Sequence, residues 1–165
     1  MNNHEIATVV SGWTKIEAQK GKMLPKNPED VVTEIEGGQA VILPDEEGNP
    51  IAYCRFLPWS ENEYIEVGSL VVEENHRKQG TGSQAILATV DLATELFPEA
   101  KIFALTENPQ SKALFTKLGG TEMAKSDLPD EVWNLCHETG KECEQWGIFP
   151  RCFCVPFSLN HLAKK

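Results

Sequence analysis

Apolar positions recur along this chain at helical spacing, then in unbroken runs, then at helical spacing again, and this alternation predicts its elements. Over residues 6–20, Ile6, Val9/Val10, Trp13 and Ile16 fall on one side of a helix. Asn27-Pro28-Glu29-Asp30 starts a second helix carrying Val31, Val32 and Ile35, which Gly37-Gly38 ends. Residues 39–43 and 51–57 read as strands joined by a hairpin-like turn over 45–50, and 65–72 is a third strand. Beyond Gly82, apolar residues at Ile86, Val90, Ala93 and Phe97 predict a helix. A short apolar strand follows at 101–105. In the next helix Asn108 is the N-cap, Pro109 suits the first turn, and Gly119-Gly120 stops it. A tail with four cysteines closes the chain, and no repeat, low-complexity tract or linker interrupts it.

The polar stretch after the third strand carries the strongest chemical signal. It reads Glu73-Glu74-Asn75-His76-Arg77-Lys78-Gln79-Gly80-Thr81-Gly82-Ser83. A strand that feeds a glycine-bearing loop opening a helix is built to hold anionic phosphate. Main-chain N–H groups point into the loop, and the helix N-terminus adds partial positive charge. Gly80 and Gly82 leave room for close backbone approach to a pyrophosphate. No lysine follows Gly82, so this is not the loop of nucleoside triphosphatases, and no third glycine completes a dinucleotide fingerprint.

Composition narrows the picture further. The 165 residues suit one domain with a sizeable core, and an apolar content of 41% is ordinary. No apolar run approaches the roughly 20 residues that span a bilayer, and the N-terminus lacks a signal-peptide pattern. These features predict a cytoplasmic protein. The net charge of −10 repels nucleic acid and anionic membrane surfaces. It favours cationic amines as partners, while an anionic ligand must be held by the local loop against the global field.

Arg77, Gly80 and Gly82, preceded by Leu70-Val71-Val72, resemble the Arg-x-x-Gly-x-Gly loop of the GNAT N-acetyltransferases. The later block from Leu105-Thr106 through Asn108 and Phe115 to Lys117-Leu118-Gly119 is similar to that family's second cofactor unit. The resemblance spans about residues 39–123. It implies a single α/β domain over 1–165, with a mixed, mostly antiparallel sheet flanked by helices and a cysteine-rich segment at 127–165. A first strand, usual in the family, is not obvious, and is either absent or hidden in Ile6-Ala7-Thr8-Val9-Val10.

The resemblance further implies acetyl transfer from acetyl-coenzyme A to the primary amine of a small molecule such as an amino acid. Arg77, Lys78, Gln79, Gly80, Thr81, Gly82 and Ser83 would bind the pyrophosphate. Main-chain groups of Leu70, Val71 and Val72 would hold the pantetheine arm, which Asn108 and Phe115 would line. Glu66, on the strand ahead of the loop, would be the general base. It also reads as an exposed strand carboxylate or salt-bridge partner, with Glu61 and Glu63 as substitutes. Phe115 stands where many relatives carry a tyrosine acid. A thiol, with a pKa of roughly 8.5, leaves tolerably without one, and Ser111 or a water can also serve. Lys78, where a glycine is common, and Gly120, where a phenylalanine usually ends the block, are further departures. Glu66, Leu105-Thr106, Phe115 and Leu128-Pro129 together look like the acetyltransferase domain of N-acetylglutamate synthases, without their kinase domain. Arg55 reads as an exposed strand arginine or, if it lies in the cleft, as an answer to a substrate carboxylate. Two other functions stay open: transfer to protein amines on the same fold, and a non-catalytic acyl-coenzyme A-binding or interaction module. Many relatives pair, so a homodimer is also an expectation.

Cys54 reads as a small core residue. Cys136, Cys143, Cys152 and Cys154, with His137, are a candidate zinc set, although their spacings match no known finger. Plain or redox-active thiols are one alternative and disulfides, which a cytoplasmic compartment disfavours, another; no metal is required for acetyl transfer. His4, His76 and His161 are expected to face solvent. Trp59 and Trp133 line the acceptor cleft or fill the core.

Overall fold

The computed structural model describes residues 1–138 and 154–162, with side chains of 135–138 left aside. Two helices come first, α1 (Asn3–Gln19) and α2 (Pro28–Glu36). Strands β1 (Ala40–Pro44), β2 (Pro50–Trp59) and β3 (Tyr64–Val72) follow, then α3 (Thr81–Leu96), β4 (Lys101–Thr106), α4 (Pro109–Lys117), β5 (Thr121–Glu122), α5 (Asp130–Glu138) and β6 (Val155–Ser158). The segment Ile6-Ala7-Thr8-Val9-Val10 is helical, so among the described residues no strand precedes β1. No helix among them is long and apolar enough to cross a membrane.

The strands form one sheet in the order β1-β2-β3-β4-β6-β5. Every neighbouring pair is antiparallel except β3 and β4. That parallel pairing holds for only three rungs, Tyr64 with Lys101, Ile65 with Ile102 and Glu66 with Phe103. Beyond them β4 keeps β6 on its far edge while β3 runs on to Val72 with β2 alone. The two central strands therefore diverge, and the sheet opens at its middle.

Helices α3 and α4 cover one face. Ile65, Val67, Ile86, Val90, Ile102, Phe115 and Phe157 meet there in the largest apolar cluster. The other face carries two smaller clusters. One lies under α1 and α2, with Val10, Val31, Tyr53 and Val71; the other lies under α5, with Phe103, Val132, Trp133 and Cys154.

Helix α1 turns its predicted apolar side inward in part, with Val10 buried and Ile6 and Trp13 packed against the same cluster, while Ile16 is 50% exposed. A polar stripe beside it, Ser11, Thr14 and Glu17, is buried as well. The polar members of this stripe are each satisfied, as burial requires. Ser11 Oγ donates to the Lys26 carbonyl at 2.7 Å, Thr14 Oγ1 accepts from the Lys26 amide at 3.0 Å, and Glu17 binds Lys20 and Arg77. The helix is oriented by what it must hold in place.

Candidate active site

Strand β3 carries the site, and a bulge sets which way its side chains point. Arg55 pairs with Gly68 and Tyr53 with Val71, so Cys54 alone opposes both Ser69 and Leu70. Ser69 takes up the extra residue at φ 54°, in the left-handed region. The bulge shifts the alternation by one residue. Ile65 and Val67 face the α3 side before it and Leu70 and Val72 after it, while Val71 joins the opposite cluster. The Glu73 amide donates to the Ile51 carbonyl at 2.9 Å. Since donors alternate edges along a strand, the main-chain groups of Val72 face away from β2; its amide is turned to the opening beside β4, and its carbonyl is taken by Arg77 Nε.

The loop at the mouth of that opening is braced from within. Glu73 caps its first turn by accepting from the Asn75 amide at 2.9 Å, and His76 Nδ1 lies 2.8 Å from the same carboxylate. That hydrogen bond to His76, with those from main-chain amides, holds the Glu73 carboxyl below the usual range. His76 is thus half-buried and partnered, whereas His4 and His161 are exposed. Thr81 Oγ1 donates to the His76 carbonyl at 2.9 Å. Arg77 bends back across the loop: its Nε donates to the Val72 carbonyl at 2.9 Å and its Nη1 lies 3.2 Å from Glu17. Lys78, Gln79 and Gly80 are exposed.

Helix α3 starts with no cap. Gly80 is its N-cap residue at φ 88°, a conformation costly for any residue with a Cβ, and it offers no side chain to the amides that follow. No acidic residue stands in the first turn, unlike α1, α2 and α5. The amides of Thr81, Gly82 and Ser83 thus present uncompensated positive potential to the loop. At Gly82 a methyl would meet Leu70, Leu114 and Val72 at ordinary contact distances of 3.6–3.7 Å, so protein packing alone does not require glycine there.

Glu66 occupies the last rung shared by β3 and β4, at the apex of the opening. It is half-buried, and Trp59 Nε1 donates to its Oε2 at 3.2 Å. Glu61 and Glu63 are exposed in the β2–β3 turn, away from this rung. The residues at 60–62 all have positive φ, and Glu131 of α5 holds the turn by accepting from the Ser60 amide and hydroxyl. A cavity of about 510 Å³ beside that turn, lined by Tyr64, Phe97 and Lys101 among others, lies at the far end of β3 from the loop.

Asn108 caps α4, its Oδ1 accepting from the Gln110 amide at 2.9 Å. Phe115 faces the core, 6% exposed, its ring centroid 5.5 Å from that of Phe157. Gly120 is explained by its neighbours. Its amide donates to the Phe115 carbonyl at 2.8 Å, and a Cβ would lie 2.9 Å from that oxygen. Any larger residue would break this turn.

Among the described residues, no three His, Cys, Asp or Glu side chains converge as a metal site. Cys143, Cys152 and the side chains of Cys136 and His137 lie outside them. Cys154 is buried with Trp133 in the cluster under α5, and Cys54 is buried in the core. Trp133 is a core residue; Trp59 is half-buried.

The profile of the Acetyltransferase (GNAT) family matches residues 13–120. The UPF0039 protein C11D3.02c of Schizosaccharomyces pombe is 24% identical over 92 residues, 56% of this chain and 61% of its own length. This chain thus spans under two thirds of that relative. N-acetylglutamate synthase from Neisseria gonorrhoeae, solved with coenzyme A and N-acetyl-glutamate, superposes with a TM-score of 0.70 at 17% identity, over 92% of this chain and 32% of the synthase. Diaminobutyrate acetyltransferase from Paenibacillus lautus, solved with L-2,4-diaminobutyric acid and coenzyme A, gives 0.63 at 14% identity, over 98% of this chain and 93% of that enzyme.

Proposed function

From the premise that this chain belongs to the GNAT family of acetyltransferases, we propose that it moves an acetyl group from acetyl-coenzyme A to the primary amine of a small molecule such as an amino acid. The observation that carries this reading is the divergence of β3 from β4, with the uncapped start of α3 at its mouth and Glu66 at its apex. Two enzymes of similar fold hold amino acids or their acetylated form beside coenzyme A, which supports the acceptor class.

The residues suit such a donor. A pyrophosphate needs exposed, convergent N–H groups, and the amides of Gly80, Thr81, Gly82 and Ser83 supply them. Arg77 and Lys78 add positive charge locally, which a chain of net charge −10 must supply there if an anion is to bind. Leu70 and Val72 provide the strand edge for the pantetheine arm, while Val71, paired with Tyr53, turns its main-chain groups to β2. Acetyl-coenzyme A, when bound, supplies the activated acyl group. Glu66 takes the proton from the acceptor ammonium, directly or through one water, because only the neutral amine is nucleophilic. Phe115 has no proton to give and faces the core, so the thiolate leaves with water, with Ser111, or unassisted.

Thiol release from acetyl-coenzyme A with a panel of amines tests the proposal. Turnover with one class of small amine supports it, and turnover only with protein amines would move the function to that substrate. Tight donor binding with turnover on none would make the chain a sensor or interaction module.

A further inference from the structure

Beside the strand that carries Glu66 lies a guanidinium with two buried nitrogens that make no hydrogen bond among the described residues, and whose one ion pair there, to Glu34, is long. Arg55 lies on β2 directly opposite Gly68, on the sheet face shared with Tyr53 and under α2. Its side chain is 15% exposed, and Nε and Nη1 are shielded from water without a hydrogen bond. Glu34 is the nearest carboxylate, 3.5 Å from Nε, but it is claimed by others. Lys26 Nζ lies 2.7 Å from it, and the Tyr53 hydroxyl donates to it. One carboxylate thus faces two cations, leaving an excess positive charge within a strongly acidic protein. Buried donors without partners are costly, and native proteins keep them where a ligand or water completes the set.

The surroundings make room for such a ligand. Glu66 sits two residues before Gly68 on β3, so Arg55 and Glu66 are diagonal neighbours across adjacent strands, about 7–8 Å apart at the backbone. Between them Gly68 contributes no side chain. Among the described residues, a Cβ added there would meet only Glu66 Oε1, at 3.5 Å. Trp59 donates to the same carboxylate.

We propose that Arg55 anchors a carboxylate of the acceptor, so that the substrate is an amine bearing a carboxylate, laid across Gly68 with its nitrogen at Glu66. A guanidinium fits this task because its planar fork matches a carboxylate's two oxygens. The proposal rests on the acetyl-transfer reading and narrows its substrate class. Arg55 is a specificity residue and Gly68 the gap that admits the substrate.

The test compares L-α-amino acids with their α-carboxamides, by thiol release and by calorimetric binding to the protein loaded with coenzyme A. Wild-type protein prefers the free acids. Arg55→Lys raises KM for them about 10- to 100-fold, the worth of a charged hydrogen bond, with kcat and carboxamide turnover little changed. Gly68→Val, at a position with ordinary φ, abolishes amino-acid binding while coenzyme A still binds, which also confirms folding. Equal handling of acids and carboxamides by wild type, or an equal loss for both in Arg55→Lys, overturns the assignment of Arg55 while acetyl transfer stands. Discriminating binding without any turnover overturns acetyl transfer and supports the carboxylate anchor.

Discussion

Glu66 is placed by register. It falls on the last rung before two strands part, and the Trp59 indole donates to its carboxylate. Replacing it with Gln keeps the shape and removes the proposed base. We expect kcat to fall about 10²- to 10⁴-fold, with the acidic limb of the pH–rate profile lost; an unchanged profile would exclude Glu66 from proton transfer. Cys54 illustrates the opposite case. Burial pushes its thiol up to about 11, and its Sγ donates to the Gly68 carbonyl at 3.5 Å. Thiolate is the reactive form, so in native protein at pH 8 peptide mapping should find Cys54 unalkylated, and full labelling after denaturation. The cysteine was legible in sequence from its isolation in a strand, and Glu66 was singled out as a candidate from its place ahead of the loop. For Arg55 the sequence left two readings, an exposed strand arginine or an answer to a substrate carboxylate. Only the packing of α2 and the sharing of Glu34 show that it is mostly buried, with two nitrogens that make no hydrogen bond.

Elements here are ended and aimed by a few main-chain contacts. Gly119 at φ 91° and Gly120 close α4 by donating to the Thr116 and Phe115 carbonyls, the pattern of a Schellman turn. Gly120→Ala would force its new methyl against the Phe115 carbonyl, so we expect a loss of about 1–3 kcal/mol, read as a lower denaturant midpoint. The start of α3 depends likewise on Gly80. Alanine there must adopt the left-handed conformation at a cost of about 1–2 kcal/mol; it should also weaken coenzyme A binding, measured by calorimetry. Caps and stops of this kind were readable because Asn-Pro and Gly-Gly have local causes. The apolar spacing of α1 gave Ile6, Val10 and Trp13 on its inward side but not the buried polar stripe beside them. That stripe is chosen by the loop carbonyl and amide of Lys26 and by Arg77, groups distant in sequence.

For the whole molecule, three carboxyls sit below their ordinary range: Glu17, which ties α1 to the loop through Arg77, and Asp45 and Glu73, which brace their own turns. Burial alone would raise Glu17, but the bond from Lys20 and the charges of Arg77, Lys20 and Lys22 outweigh it. Asn49 amides lower Asp45, and His76 lowers Glu73. A depressed folded pKa contributes stability that is present above the unfolded value and lost as pH falls through the folded one. Melting temperature should therefore drop below about pH 4, and Glu17→Gln should flatten part of that drop. Ligand linkage adds a second test: coenzyme A at 100 times its Kd should stabilise by about 2.7 kcal/mol, visible as a raised melting temperature. Sequence by itself determined the order of elements from α1 to α4 and singled out the glycine loop and Glu66 as candidates, because each follows from local rules of periodicity, capping and backbone freedom; β5, α5 and β6, in the tail, carried no such pattern. Only the tertiary structure decided where β3 leaves β4, how the bulge at Ser69 swaps the faces of Leu70, Val71 and Val72, and which buried donors lack a partner. Those depend on register and packing between strands far apart in the chain, and no local pattern encodes them.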